Sequence, residues 1–74
     1  MEIEVRLFAS FRRGRWKSKR LSISDSTQIM DILALLHIKK EEIGMILVNG
    51  GYQTIDYKLN DGDILAIFPP VAGG

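Results

Sequence analysis

The sequence predicts a small α+β domain in which one main helix packs across one face of a mixed β-sheet. Segments with apolar residues at every second position, or apolar throughout, occur near both ends of the chain and are typical of strands. A single stretch between them carries apolar residues at helical spacing. The chain has 74 residues, which is enough for one domain.

The composition is that of a folded soluble protein and excludes several classes. Hydrophobic residues make up 46% of the chain and charged residues 26%, which argues against disorder. Without cysteine there is no disulfide framework, thiol nucleophile or thiolate metal site. No apolar run approaches the roughly 20 residues that span a bilayer, and residues 1–4 are acidic and alternating, unlike a signal peptide. We therefore expect a cytoplasmic protein with no membrane partner.

The net charge of +1 conceals an uneven distribution. Six of the ten basic residues lie in one short stretch, and the rest of the chain has four basic and nine acidic residues. The six are Arg12, Arg13, Arg15, Lys17, Lys19 and Arg20. This basic stretch is interpreted as a solvated hairpin tip, as a patch for a protein or anionic ligand, or as a nucleic-acid contact aided by Trp16. Because the sequence shows no second basic surface, nucleic acid is the least favoured partner.

The first two strands are predicted to form an antiparallel hairpin. Residues 2–9 alternate with Ile3, Val5 and Leu7 on one face, whereas Phe8 falls on the polar face. Phe8 is therefore expected either to cover a neighbouring element or to be an exposed contact residue. Residues 11–20 contain a glycine and the basic stretch, which predicts a positively charged connection to a short strand around residues 21–23.

The helix is predicted between residue 26 and about residue 37. Short polar residues at 24–27 are typical of a helix start, and Ser26 is the expected N-cap. One apolar stripe follows, made of Ile29, Ile32, Leu33 and Leu36. No glycine ends the helix near His37, so Lys39 and Lys40 are expected to favour its last carbonyls electrostatically.

Two further strands are predicted in the second half. Residues 45–48 are a continuous apolar run ended by Asn49-Gly50-Gly51, and residues 52–59 are irregular with room for a brief edge strand. A tight turn at 60–63 precedes residues 64–68, which are apolar throughout and therefore expected to be central and covered. If the first and last strands pair in parallel, the arrangement is the β-grasp, or ubiquitin-like, fold over residues 1–68.

Residues 69–74, called the tail below, are predicted to leave the sheet directly from this central strand. Pro69 and Pro70 have no backbone N–H to donate, and their φ angles are fixed. The two prolines are therefore expected to end the strand. Gly73 and Gly74 impose almost no backbone restriction, so we expect a flexible segment with a free carboxylate at Gly74. Ordinary fraying of a terminus is the alternative.

Four segments together resemble the ubiquitin-like sulfur carriers of the MoaD and ThiS type. They are residues 5–9 (Val-Arg-Leu-Phe-Ala), 48–50 (Val-Asn-Gly), 59–63 (Leu-Asn-Asp-Gly-Asp) and 68–74 (Phe-Pro-Pro-Val-Ala-Gly-Gly). The ending with paired prolines is most similar to the small subunit of molybdopterin synthase. The resemblance spans the whole chain.

The resemblance implies a mechanism and a set of site residues. An E1-like adenylating enzyme would activate the Gly74 carboxylate with ATP, and sulfur would replace AMP to leave a thiocarboxylate. Gly73 would let the chain lie flat in a narrow channel, and the large subunit of molybdopterin synthase would accept the tail. Partner contacts are assigned to Phe8, Phe68, Pro69, Pro70, Val71 and Ala72. The alternatives are sulfur delivery to thiamine synthesis, tRNA thiolation or another acceptor, and ubiquitin-like conjugation to lysines. A pure β-grasp interaction module in which the glycines have no role is a further alternative.

No cofactor or metal site is predicted, and the chain is expected to be a non-catalytic carrier subunit. His37 is the single histidine and lacks companion ligands or a nucleophile. Asp61 and Asp63 are interpreted as turn-forming residues in preference to a cation site. The acid–base groups for the chemistry are therefore expected on partner enzymes.

Overall fold

The computed structural model describes residues 1–70, which form five strands, one α-helix and two 3-10 turns. The strands are Glu2–Leu7 (β1), Ser18–Ser22 (β2), Met45–Val48 (β3), Gly51–Tyr52 (β4) and Ile64–Phe68 (β5), the helix is Ile29–Leu35 (α1), and the 3-10 turns are Ala9–Arg12 and Lys40–Glu42. The sheet order is β2-β1-β5-β3-β4, with β1 and β5 parallel at the centre and the other neighbouring pairs antiparallel. The predicted β-grasp fold is confirmed. No helix within residues 1–70 is long and apolar enough to cross a membrane.

One face of the sheet packs against α1 and forms the core. Val5 and Leu7 of β1 and Leu65 and Ile67 of β5 are fully buried, and Ile29 of the helix joins the same cluster. The alternate residues of β5 are only half-buried. The expectation that β5 is central is therefore confirmed, but the expectation that it is covered throughout is wrong, because the helix covers one face only.

The helix begins at Ile29, later than predicted. Ser26 is not the N-cap, since it lies in a turn with a φ of 69°. The first helical N–H groups find distant partners instead: Ile29 donates to the carbonyl of Tyr57 (3.1 Å) and Met30 to that of Ile55 (2.8 Å). The N-cap is Gln28, whose N–H donates to the Asp31 carboxylate at 2.8 Å. The polar run at 24–27 therefore indicated the wrong residue, although a local capping pair follows it in the sequence.

The helix ends with a Schellman motif in which His37 takes the position usually held by glycine. Its φ is 59°, and the N–H of the next residue, Ile38, donates to the carbonyl of Leu33 at 2.9 Å. The guanidinium of Arg15 donates to the Leu36 carbonyl at 3.0 and 3.2 Å. Arg15 therefore binds a carbonyl at the helix end directly, and the electrostatic effect of Lys39 and Lys40 stays a prediction.

The antiparallel pairing of β1 with β2 is confirmed, but the connection between them is not a uniformly basic tip. Lys19 and Arg20 lie within β2, and Arg12 belongs to the first 3-10 turn. Phe11, predicted to lie in a loop, is buried in the core with 5% of its surface exposed. The connection is thus a packed segment, and the basic residues point in several directions.

Asp63 is the one buried charged residue within residues 1–70, and it forms the turn before β5. Its carboxylate accepts hydrogen bonds from the Asn60 N–H (2.8 Å) and the Asn49 side-chain amide (2.9 Å). The Asn49 amide oxygen in turn accepts from the Ile64 N–H at 2.9 Å. The interpretation of Asp63 as a turn-forming residue agrees with these contacts.

Replacing Asp63 with alanine should lower the free energy of unfolding by about 1–3 kcal/mol, because two part-buried hydrogen bonds to its carboxylate are lost. Urea denaturation monitored by circular dichroism measures this change. Asp25→Ala, at an exposed position, is the matched control and should change stability by no more than about 0.5 kcal/mol. Equal losses in both variants would contradict the assignment.

Candidate functional site

The candidate site lies where β5 ends and is built around two stacked aromatic rings. The Phe8 and Phe68 rings have centroids 4.1 Å apart and planes inclined by 10°. Phe68 alternates with the buried Leu65 and Ile67, so it faces away from α1. Phe8 covers Phe68 of a neighbouring strand and also remains partly exposed.

Apolar residues from several elements continue this surface. We call it the tail-base surface, and it comprises Phe8, Ile43, Met45, Tyr52, Ile55, Phe68 and Pro69. Tyr52 is 77% exposed, which is the highest value among the large apolar residues of the described chain. An exposed apolar area of this kind is typical of a protein interaction site.

Positive charge borders the tail-base surface. The Arg12 guanidinium lies over the Phe8 ring, 5.2 Å from its centroid, and Arg12 Nε donates to the Leu7 carbonyl at 2.7 Å. Lys40 lies next to the tail-base surface, and no acidic residue among residues 1–70 lines it. A cation on an aromatic face is attracted electrostatically, so Arg12 also holds Phe8 against Phe68.

The tail begins within this surface. Pro69 is half-buried and Pro70 is exposed. The Phe68 carbonyl, just before the prolines, accepts a hydrogen bond of 2.8 Å from the N–H of Gly44. The structure thus brings together four of the residues predicted to contact a partner, namely Phe8, Phe68, Pro69 and Pro70. Val71, Ala72, Gly73 and Gly74 lie outside the described residues, and their roles stay predictions.

The remaining basic residues do not form one patch. Arg20 pairs with Glu2 at 3.5 Å, and Arg15 points inward to the helix end. The Lys19 ammonium lies 6.0 Å from the centre of the Trp16 ring, and Trp16 is half-buried against the core. A half-buried tryptophan beside dispersed cations is a poor platform for stacking bases, so the tail-base surface remains the better candidate site.

The described residues hold no cluster of three or more side chains suited to a metal ion. His37 is exposed at the helix end. Asp61 accepts a hydrogen bond from the Glu2 N–H at 2.8 Å, as a structural contact between β1 and the last turn.

A β-grasp domain whose central strand leads into Pro69 and Pro70 beside a half-buried aromatic pair, in a chain whose sequence continues Val-Ala-Gly-Gly, defines a ubiquitin-like protein. Residues 5–74 match the model of the ThiS family. The chain therefore belongs to the ThiS family, which groups ubiquitin-like sulfur carriers and modifiers, and the recognition of a MoaD/ThiS-type protein is confirmed.

Three relatives illustrate the breadth of this family. Small archaeal modifier protein 3 of Haloferax volcanii is 30% identical over 93 aligned positions that cover all of both chains. The crystal structure of small archaeal modifier protein 1 of the same organism superposes with a TM-score of 0.78 at 27% identity over all of both chains. A complex of subunits 1 and 2 of the molybdopterin-converting factor of Helicobacter pylori contains a chain with a TM-score of 0.66 and 29% identity, again over all of both chains.

Several site residues were missed in the sequence. The outward direction of Met45 could have been predicted, because Met45 lies one residue before the buried Ile46 in a strand. Arg12 was grouped with the basic stretch, and its contact with Phe8 depends on the 3-10 turn. Tyr52 lies in a brief edge strand, as residues 52–59 allowed, but its place in the tail-base surface depends on the sheet order.

The stack of Phe8 on Phe68 should be measurable as a coupling energy. Phe8→Leu, Phe68→Leu and the double variant should show a coupling of about 0.5–1.5 kcal/mol in unfolding free energy, because each single change already removes the ring contact. A control cycle of Phe8→Leu with Leu35→Ala, a change on the exposed side of α1, should be additive. Additivity in both cycles would contradict the stack.

Proposed function

We propose that this chain is a sulfur carrier that acts as the small subunit of a molybdopterin synthase. The observation that carries the proposal is the exposed, apolar tail-base surface at the origin of a segment ending in Gly73-Gly74. A surface that docks a partner and a narrow arm that enters it are the two parts that such a carrier needs. Membership of the ThiS family and the likeness to a molybdopterin-converting factor subunit support this role.

The proposed chemistry takes place at Gly74. Its carboxylate oxygen attacks the α-phosphate of ATP on an E1-like adenylating enzyme, so pyrophosphate leaves and an acyl-adenylate forms. Hydrosulfide then attacks the carbonyl carbon, AMP leaves with the bonding electron pair, and loss of the proton on sulfur gives a thiocarboxylate. Glycine leaves this carbonyl open to attack, since no side chain lies beside it. Acid–base groups and positioning come from the enzyme partners.

The proposed docking uses the tail-base surface as the anchor. Phe8 and Phe68 offer a rigid aromatic pair, which is the kind of residue that dominates binding energy at protein interfaces. The cations of Arg12 and Lys40 at its edges favour a partner that places carboxylates around an apolar centre. The large synthase subunit and the adenylating enzyme are the proposed partners, and the cytoplasmic location stays a prediction.

Sulfur uptake at Gly74 tests the chemistry directly. After incubation of the chain with ATP, a sulfide source and the adenylating enzyme of its own cell, intact mass spectrometry should show one oxygen replaced by one sulfur. Deletion of Gly74 should abolish the gain, because the reacting carboxylate moves, while the circular dichroism spectrum stays unchanged. Failure of the full chain to gain sulfur with any adenylating enzyme of that cell would overturn the proposal.

Docking is tested with a partner-binding measurement. Phe68→Ala should weaken binding to the large subunit at least tenfold, because truncating a central aromatic anchor costs on the order of 2 kcal/mol. Isothermal titration calorimetry gives the affinity. Leu35→Ala is the matched control, since Leu35 is 62% exposed on the helix and does not line the tail-base surface. It should bind like the wild type, and a similar loss in both variants would refute the surface.

A second candidate function is conjugation to lysines as a ubiquitin-like modifier. The relative that favours it is small archaeal modifier protein 3, which matches this chain from end to end. The two functions share the activated Gly74 and differ in what attacks it, a sulfur nucleophile or a lysine amine. Branched Gly-Gly remnants on lysines of other proteins, found by peptide mass spectrometry, would identify the modifier.

A further inference from the structure

The first two residues of the tail lie directly against the backbone of Gly44. A β-carbon placed on Gly44 would lie 2.5 Å from the Pro69 carbonyl oxygen and 2.6 Å from both the Pro69 carbonyl carbon and the Pro70 nitrogen. Contacts of real β-carbons essentially never fall below 3.0 Å. All three atoms belong to the backbone and cannot rotate away as a side chain can. With the tail on this path, position 44 accepts only glycine.

The reason for glycine at this position is space, not backbone conformation. Gly44 is absent from the residues with positive φ, unlike Gly50 and Gly62, which have φ values of 86° and 84°. Gly51 provides a contrast in the same part of the sheet. It also lacks a positive φ, and a β-carbon there would meet its nearest neighbour, the Val48 carbonyl oxygen, at an ordinary 3.7 Å.

Gly44 is more firmly held than the tail that touches it. Its N–H donates to the Phe68 carbonyl, and the next residue, Met45, is paired with Phe68 in the β3–β5 ladder. Pro69 and Pro70 have no N–H to donate, and within residues 1–70 no hydrogen bond reaches their carbonyls. A side chain at position 44 would therefore displace the tail and leave the strands in place.

We propose that Gly44 is a positioning residue that sets the direction in which the tail leaves the domain. It lets Pro69 and Pro70 lie flat across the start of β3, between Phe68 and the rest of the tail-base surface. The consequence for sulfur transfer rests on the proposed function: surface and tail must meet one partner simultaneously, so a redirected tail lowers the effective concentration of Gly74 in the partner site. A misplacement of about 1 Å in such a geometry costs roughly a hundredfold in rate.

The wild-type chain tests the contact itself by nuclear magnetic resonance. Nuclear Overhauser effects should join the α-protons of Gly44 to the δ-protons of Pro70. In Gly44→Ala, contacts from residue 44 to both prolines should be lost, with shift changes confined to residues 43–45 and the tail. The midpoint of thermal unfolding should stay within about 5 °C of wild type. Gly51→Ala, the matched glycine control, should keep every contact between residue 44 and the prolines.

The sulfur-uptake assay tests the consequence. Gly44→Ala should reduce kcat/KM for thiocarboxylate formation at least tenfold, and Gly51→Ala should match the wild type. Absence of the Gly44–Pro70 effect in the wild-type chain would overturn the inference. So would wild-type rates in a Gly44→Ala variant that has lost the contact. If the wild type gains no sulfur at all, the proposed function fails while the magnetic resonance result still decides the role of Gly44.

Discussion

The parallel pairing of β1 with β5 is the interaction on which the site depends. Leu7 lies opposite Ile67 in this register, and the Phe8 N–H donates to the Ile67 carbonyl at 3.2 Å. Parallel strands end at the same edge of a sheet. The residues that follow this last pair, Phe8 after Leu7 and Phe68 after Ile67, must therefore come together there. The fully buried residues that precede them anchor both rings to the core. The aromatic pair is thus a direct product of the central pairing.

The antiparallel neighbour β3 completes the arrangement from the other side. Its first residue, Met45, is paired with Phe68, which brings Gly44 beneath the prolines and Met45 into the tail-base surface. The aromatic pair, the rest of the tail-base surface and the start of the tail therefore lie together at one edge of the sheet. The helix covers the opposite face and supplies the core. Stability and recognition are in this way assigned to different faces of one sheet.

Local patterns were enough to predict β1, β3, β5 and the sheet centre. They placed the second strand at 21–23, whereas β2 is Ser18–Ser22, and contacts between distant segments were not visible in them. Alternation identified β1, and turn residues placed β3 and β5 correctly. The helix start combines a local cap, Gln28 with Asp31, with carbonyls of the distant Ile55 and Tyr57, and the short polar residues before Gln28 indicated the wrong cap. Arg15 looked like part of a charged loop, yet its partner is the helix end. The need for glycine at position 44 exists only once the tail lies across it.

We propose that the tail-base surface docks the partner that receives the tail. Titration of the isotopically labelled chain with the large subunit, followed by amide and methyl resonances, measures this docking most directly. We expect the strongest shifts and line broadening on Phe8, Met45, Tyr52 and Phe68, with α1 and β2 unaffected. Perturbations centred on α1, or on the basic residues of β2, would contradict it.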